Sequence, residues 1–397
     1  MKAQLDQARR NEVKDEDKRT YKIGERLTTE ERGRLKKLLE QWDHIFTTSF
    51  QDIQNAAPDF KHDVDTGDSP PIKQAPYRVP PAYRQWVREE IEKMEAAGII
   101  RKSKSPWASP VVLVPKKEIV IDPESNERRE ITVPRFCVDY RKVNAVTKKD
   151  AHPIPRIDDL LDTIEVQPRY FTSLDLFSGY HQIGLTERAI ERSAFVVPDG
   201  QYEYLRMPFG MCNAPPTFQR VMNEIFGDLI GVCLTVYIDD VEIYTKTFGE
   251  HLNRLQEVFR RIEKNGLFLK PKKCTFATHE MKYLGYIISE NGLTTDPSKV
   301  EAIVKYPHPE NQTELRAFLG LATYYRRFVH GFSSIAAPLH ELLRKNVPYK
   351  WQRNQELAFQ ELKKKLTEAI YRRTFCYFCS NTSRAQGRER RGKPRGD

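Results

Sequence analysis

Apolar residues recur along this chain at two periods, and the changes of period mark its elements. Thr28 with Glu31 makes a capping-box pattern ahead of Leu35, Leu38, Leu39 and Trp42, which predicts a helix starting there. Residues 60–80, rich in Pro and Asp, predict an extended lead-in. A second helix is expected from Ala82 to about Ala97, with Val87, Ile91 and Met94 on one face and Gly98 as a left-handed cap. The apolar strand 107–117 enters a basic turn, and 128–140 reads as its hairpin partner. A strand over about 170–176 follows, then a helix over 215–227 with Phe218, Val221, Met222 and Ile225 at i, i+3, i+4 and i+7. Two apolar strands, 232–238 and 241–245, flank Asp239-Asp240. A helix at about 248–265 buries Leu252, Leu255, Val258, Phe259 and Ile262 and stops at Gly266, and a final strand is expected near 282–288. Beyond 295 the pattern is helical: 297–304, 312–330, 334–345 and 354–369.

The central run is therefore β-α-β-β-α-β, a split βαβ arrangement that sets the first strand beside the hairpin within one antiparallel sheet. At 397 residues the chain has room for two or three subdomains. Lys and Arg outnumber Asp and Glu by 65 to 55, and the formal net charge of +10 favours polyanionic partners. Charge alone leaves a merely basic, soluble surface as an equal reading. No stretch is long and apolar enough to span a bilayer, so no membrane partner is expected. The charged opening holds no apolar signal core, and six scattered cysteines show no disulfide framework. An intracellular protein with reduced thiols, cytoplasmic and/or nuclear and not secreted, is expected. Residues 1–26 read as polar and mobile, and the Arg-rich last 26 residues as disordered.

Candidate chemistry sits in two segments. In FTSLDLFSGYHQI (171–183), Asp175 is a lone carboxylate in an apolar strand, a costly placement unless it lies at a strand end or binds a cation. In VCLTVYIDDVEIY (232–244), Asp239 and Asp240 occupy a hairpin tip, which taken alone is an ordinary turn. The element order changes that reading by bringing all three carboxylates to neighbouring central strands at one edge. Clustered carboxylates repel, and a divalent cation is the usual resolution. Hard oxygens without His or Cys suit Mg²⁺, and two ions about 3.5–4 Å apart would clamp an in-line phosphoryl transfer.

Tyr237-Ile238-Asp239-Asp240 resembles the Tyr-x-Asp-Asp box of reverse transcriptases, and the flanking text is most similar to the gypsy-type LTR retrotransposon branch, over about residues 58–369. The resemblance implies an α+β right-hand polymerase fold: fingers, a ferredoxin-like palm (the βαββαβ antiparallel sheet plus helices) and a helical thumb. It implies two Mg²⁺ ions, with Mn²⁺ as a substitute, held by Asp175, Asp239 and Asp240. Tyr180 would be the aromatic gate that excludes a ribose 2′-hydroxyl. The segment MPFGMCNAPPTFQRVM (207–222), with Gly210 and Gln219, would contact template and incoming nucleotide. From the residues alone, Gly210 permits close backbone approach, and Pro215 and Pro216 suit a helix's first turn. Lys116 and Arg135 would bind triphosphate, and Lys273 would protonate the leaving pyrophosphate. Tyr283-Leu284-Gly285-Tyr286 would be the primer grip, and 315–328 the thumb helix, with Arg326 and Arg327 beside Tyr324 and Tyr325 facing nucleic acid. Read without the family, Tyr180 is also an ordinary packed aromatic, and the basic residues are also solvated surface.

The implied layout is a polar lead-in with one helix at 1–76, and fingers and palm at 77–290, with the palm at about 165–183 and 207–290. A helical thumb or connection at 291–370 and a basic tail at 371–397 complete it. A Pol-polyprotein fragment lacking protease, RNase H and integrase is expected. Asp65-Thr66-Gly67 resembles a protease tripeptide, but DSPP follows where an apolar strand is needed. Cys376-x-x-Cys379 is half a zinc site. Glu242 departs from the family, which usually has an apolar residue there, and alternation sets it on one face with Asp240 and Tyr244. Phe177 is a milder departure. The expected function is RNA-directed DNA polymerisation: a primer 3′-hydroxyl extended with dNTPs on RNA or DNA template. The alternative is a catalytically inactive retroelement remnant that only binds nucleic acid. Oligomeric state is left open.

Overall fold

The computed structural model describes residues 21–121, 128–164 and 168–371. The chain divides into two compact units, Met1–Glu165 with Tyr170–Thr278, and Val166–Arg169 with His279–Asp397. The division falls after Thr278, ahead of the boundary expected at 290. The tail from 372 and the Cys376-x-x-Cys379 pair lie outside the described residues.

The first unit is built on a five-stranded sheet in the order Lys22–Ile23, Thr275–Thr278, Tyr170–Asp175, Asp240–Thr245, Leu234–Tyr237. All its pairs are antiparallel except the first. One face carries Leu174, Val236, Val241 and Ile243, and packs in a single core with Phe218, Val221 and Met222 of the Ala214–Phe226 helix. Leu255, Val258, Phe259 and Ile262 of the Phe248–Lys264 helix complete that core. The helical periods therefore exist because these two helices roof one side of the sheet. His251, fully buried, fastens the second helix to both central strands. Its ring hydrogen-bonds with the Thr172 hydroxyl at 2.8 Å and the Thr245 hydroxyl at 3.0 Å.

One replaced strand and one added strand change the expected sheet. The last palm-type strand is Thr275–Thr278, not 282–288. That strand is four residues long, Phe276 and Ala277 are both buried, and its register shifts between Thr275 and Thr278, so alternation never develops. At the other edge Lys22–Ile23 pairs with it, so the end of the opening 26 residues is an edge strand and not a mobile lead. The sequence from 280 instead forms its own antiparallel sheet in the second unit: Glu280–Tyr283, Tyr286–Ser289 and Gly292–Thr295.

A second five-stranded sheet in the first unit runs Ile100–Lys102, Gly200–Tyr204, Phe195–Val197, Ser109–Ile121, Arg128–Val138. Its long hairpin is the expected 107–140 pair. Before it, the capping box at Thr28 and the left-handed Gly98 (φ 64) sit as the sequence predicts.

In the second unit, helices cover Pro297–Val304, Gln312–Tyr324, Phe332–Glu341 and Arg353–Tyr371. The expected 312–330 helix breaks at Tyr325 (φ −105, ψ 16), and Arg326–Phe328 is a separate 3₁₀ turn. The break follows from hydrogen bonding. The Tyr325 hydroxyl donates to the Gly285 carbonyl at 3.0 Å, the Tyr324 hydroxyl donates to Leu284, and the Tyr286 hydroxyl donates to the Tyr324 carbonyl at 2.8 Å. These tyrosines are spent on the hairpin turn, whose Leu284 and Gly285 both take positive φ (48 and 77). No helix among the described residues is long and apolar enough to cross a membrane.

Candidate active site

The register of the two central strands sets Asp240 directly opposite Asp175, and Tyr237 opposite Asp240 across the hairpin. Ile238 and Asp239 are the two turn residues between them. Turns this tight need positive φ, and Ile238 supplies it at φ 56, an unfavourable conformation for a β-branched residue. Gln219, fully buried on the roofing helix, holds the turn in place. Its Oε1 accepts from the Ile238 N–H at 2.8 Å, and its Nε2 donates to Asn223 Oδ1 at 3.0 Å and to the Val236 carbonyl at 3.5 Å. In this structure the Gln219 amide is engaged within the chain and braces the turn.

The carboxylates disturb one another. Burial, then the charges of Asp239 and Asp175, pushes Asp240 up to about 6. Burial and the facing Asp175 also raise Asp239. A short 3₁₀ turn, Pro271–Lys273, brings a cation to them: Lys273 Nζ donates to Asp175 Oδ2 at 2.9 Å. Among the described residues no group of three His, Cys, Asp or Glu side chains converges as a ready ligand cage. The donor set nonetheless fits a divalent cation in chemistry. It consists of carboxylate oxygens alone, and mutual repulsion already hinders their ionisation.

Tyr180 stands on the 3₁₀ segment Gly179–Gln182. Its ring centroid lies 4.8 Å from Phe209 and 5.4 Å from Phe218, and burial followed by the charge of Asp239 raises its hydroxyl to about 12. Two residues missed from sequence hold this corner. Gln182, fully buried, donates from Nε2 to the Phe177 and Phe268 carbonyls at 2.7 and 2.9 Å and accepts from the Phe268 N–H at 2.8 Å. Among the described residues Arg206 has no carboxylate partner, and it donates to the carbonyls of His181, Ile53, Ala56 and Gln182. Nothing in their spacing marks them, since most of their bonds run to backbone groups far away in sequence. Phe177 packs against Phe50, with centroids 5.1 Å apart, in a small core with Ile53 and Ala56, which accounts for an apolar residue there.

Gly210 is needed for its conformation (φ 94). Within the chain, a Cβ there would meet nothing nearer than 3.6 Å. Its carbonyl accepts from Asn144 Nδ2 at 2.8 Å. Lys116 and Arg135 lie on the long hairpin, where Lys116 faces Val133 and Arg135 faces Val114. Both thus project from one face as diagonal neighbours, on a different sheet from the carboxylates. Glu242 is 2% exposed: Ser173 Oγ donates to its Oε1 at 2.8 Å, its Oε2 has no partner among the described residues, and burial pushes its carboxyl pKa well above the usual carboxylate range. The tripeptide Asp65-Thr66-Gly67 is a surface turn in which Asp65 accepts from the Gly67 N–H at 2.8 Å and from Lys148 at 3.0 Å.

Residues 114–288 match the family model described as reverse transcriptase (RNA-dependent DNA polymerase). The chain is 38% identical over 338 residues to the retrovirus-related Pol polyprotein from transposon 297 of Drosophila melanogaster, covering 85% of this chain and 31% of that protein. It is 35% identical over 311 residues to the Pol polyprotein from transposon gypsy of the same organism, covering 76% and 29%. The chain spans about three tenths of the length of these curated relatives. Among solved structures, the foamy viral protease-reverse transcriptase in complex with RNA/DNA hybrid matches with a TM-score of 0.71 at 25% identity, over 87% of this chain and 45% of that one. The dRH form in complex with ds DNA matches with a TM-score of 0.74 at 25% identity, over 87% and 58%.

Proposed function

We infer the function from the premise that this chain carries a reverse transcriptase domain of the kind found in LTR-retrotransposon Pol polyproteins: it extends a primer 3′-hydroxyl with deoxynucleotides on an RNA or DNA template. The observation that carries this reading is the register of Asp240 against Asp175, with Asp239 at the adjoining turn. Reverse transcriptases as a family use divalent metal ions. Here Asp175, Asp239 and Asp240 would hold two Mg²⁺. Bound there, the ions would favour the ionised 3′-hydroxyl and offset charge on the triphosphate.

The remaining roles belong to the chain's own groups. Lys273, now bonded to Asp175, is close enough to the carboxylates to exchange that partner for a phosphate oxygen and give the leaving pyrophosphate a proton. Lys116 and Arg135, diagonal on one hairpin face, suit a triphosphate tail. Tyr180 closes the site to a 2′-hydroxyl, and the Gly210 turn presents backbone to the template. We assign 77–278 as fingers and palm, the hairpin sheet at 280–295 as the primer grip, and the helices from 297 to 370 as thumb, an assignment supported by the likeness to the foamy viral enzymes.

Extension of oligo(dT) on poly(rA) with dTTP and Mg²⁺ tests the reading. Wild-type chain is expected to extend the primer, and Asp239→Asn to lose more than about a hundredfold in rate. Unchanged extension by Asp239→Asn refutes the assignment. Binding of the duplex by a wild-type chain that never extends it favours the inactive remnant.

A further inference from the structure

Phe209 has a fixed backbone and a largely exposed side chain. The loop that carries it is pinned on both sides: the Met207 N–H donates to the Ile183 carbonyl at 2.8 Å, and Asn144 donates to the Gly210 carbonyl at 2.8 Å and accepts from the Cys212 N–H at 2.9 Å. Asn213, at the loop's end, donates to the Lys148 carbonyl at 2.8 Å. Between these ties the Phe209 ring is 56% exposed. Its aromatic neighbours are Tyr180, at 4.8 Å and an interplanar angle of 32°, and the edge of His181 at 5.4 Å.

Tyr180 is held differently on its two sides. Phe218, fully buried on the roofing helix, contacts it at 5.4 Å and cannot move without opening the core. Phe209 occupies the solvent side. An aromatic ring can exclude a hydroxyl only if it has nowhere to turn when pressed. Removing Phe209 would leave space on that side, and rotation about the Tyr180 side chain would relieve the clash.

We propose that Phe209 is a positioning residue that holds the Tyr180 ring in its excluding orientation and so sets the discrimination between deoxyribo- and ribonucleotides. This rests on the polymerase reading above and adds to it a residue that touches neither the carboxylates nor the roofing helix's brace.

The test measures kcat/KM for dGTP and GTP on poly(rC)/oligo(dG), with full-length chain, and reads their ratio. Phe209→Ala is expected to lower the preference for dGTP on the order of fivefold to tenfold, whereas Phe209→Tyr, which keeps the ring, retains it. Tyr180→Val is expected to lower it further, and adding Phe209→Ala to Tyr180→Val to lower it no more, because the first residue acts through the second. An unchanged ratio in Phe209→Ala, in a chain that polymerises dGTP, overturns this inference alone. So does an effect of Phe209→Ala that persists in full beside Tyr180→Val. A wild-type chain that incorporates neither nucleotide overturns this inference together with the polymerase reading.

Discussion

Replacing Gln219 by Met should leave the fold standing and disable the site, because its amide works on the Ile238–Asp239 turn. Met fills nearly the same volume but cannot accept from the Ile238 N–H, which now bonds to Gln219 Oε1 at 2.8 Å. A buried backbone donor left unpaired costs about 1–3 kcal/mol. The turn already carries Ile238 at φ 56, worth about 1–2 kcal/mol of strain for a residue with a Cβ. Both costs vanish if the turn rearranges, so Gln219→Met should depopulate the geometry that presents Asp239. A shift of about 2 kcal/mol toward rearranged turns predicts a fall in kcat of roughly thirtyfold with little change in KM for dTTP. Gly at 238 removes the strain but not the lost bond, so Gln219→Met with Ile238→Gly should recover part of the rate. Steady-state extension on poly(rA)/oligo(dT), with denaturant unfolding run beside it, measures both. If Gln219→Met keeps kcat within threefold of wild type, or if Ile238→Gly makes the double variant slower still, the brace has been misread.

Two further outcomes concern stability. Glu242 is buried with Oε2 unpartnered and only Ser173 bonded to it, so Glu242→Met with Ser173→Ala should raise unfolding free energy by about 1–3 kcal/mol; a lower urea midpoint in the double variant would contradict this. Burial lowers His62 and His181 to about 4 and His251 to about 3. The folded chain therefore refuses protons that the unfolded chain accepts near pH 6.5. Their contribution is complete above about pH 6.5 and is lost as pH falls toward about 4, at about 1.4 kcal/mol per unit for each histidine. Urea titrations at pH 7, 5.5 and 4.5 should show steadily falling stability, and a flat profile across that window would refute the buried-neutral assignment.

Elements with a long period were legible in the sequence because one neighbour dictates each of them. The helices at 214–226 and 248–264 each show one apolar stripe to one sheet, and the spacing reports that directly. The three carboxylates were legible for a related reason: element order alone brings two strands side by side, and the register then follows. What stayed hidden depends on contacts with no period. Thr275–Thr278 is a strand only because Tyr170–Asp175 offers it an edge. The break at Tyr325 comes from hydroxyls reaching carbonyls forty positions back in the chain. Gln219 lies in a helical stripe and looks like a polar residue near a site, and only its hydrogen bonds reveal that it faces inward.

The same sheet face sorts its carboxyl groups by how far the strand carries them from solvent. Asp240 lies opposite Asp175 at the open end of the strand pair, and Glu242 lies two residues deeper, opposite Ser173. Asp240 is only partly exposed and raised to about 6, whereas Glu242 is 2% exposed and raised well beyond the usual range. A carboxyl at the deeper position is held by a neutral hydroxyl and favours its protonated form. A carboxyl at the strand end keeps water and Lys273 within reach and can ionise once a cation offsets its neighbours. Repulsion among Asp175, Asp239 and Asp240 does not scatter them, since the sheet register and Gln219 fix their backbones independently of charge. The scaffold thus bears the cost of assembling like charges, and a multivalent cation that binds them recovers that cost as affinity.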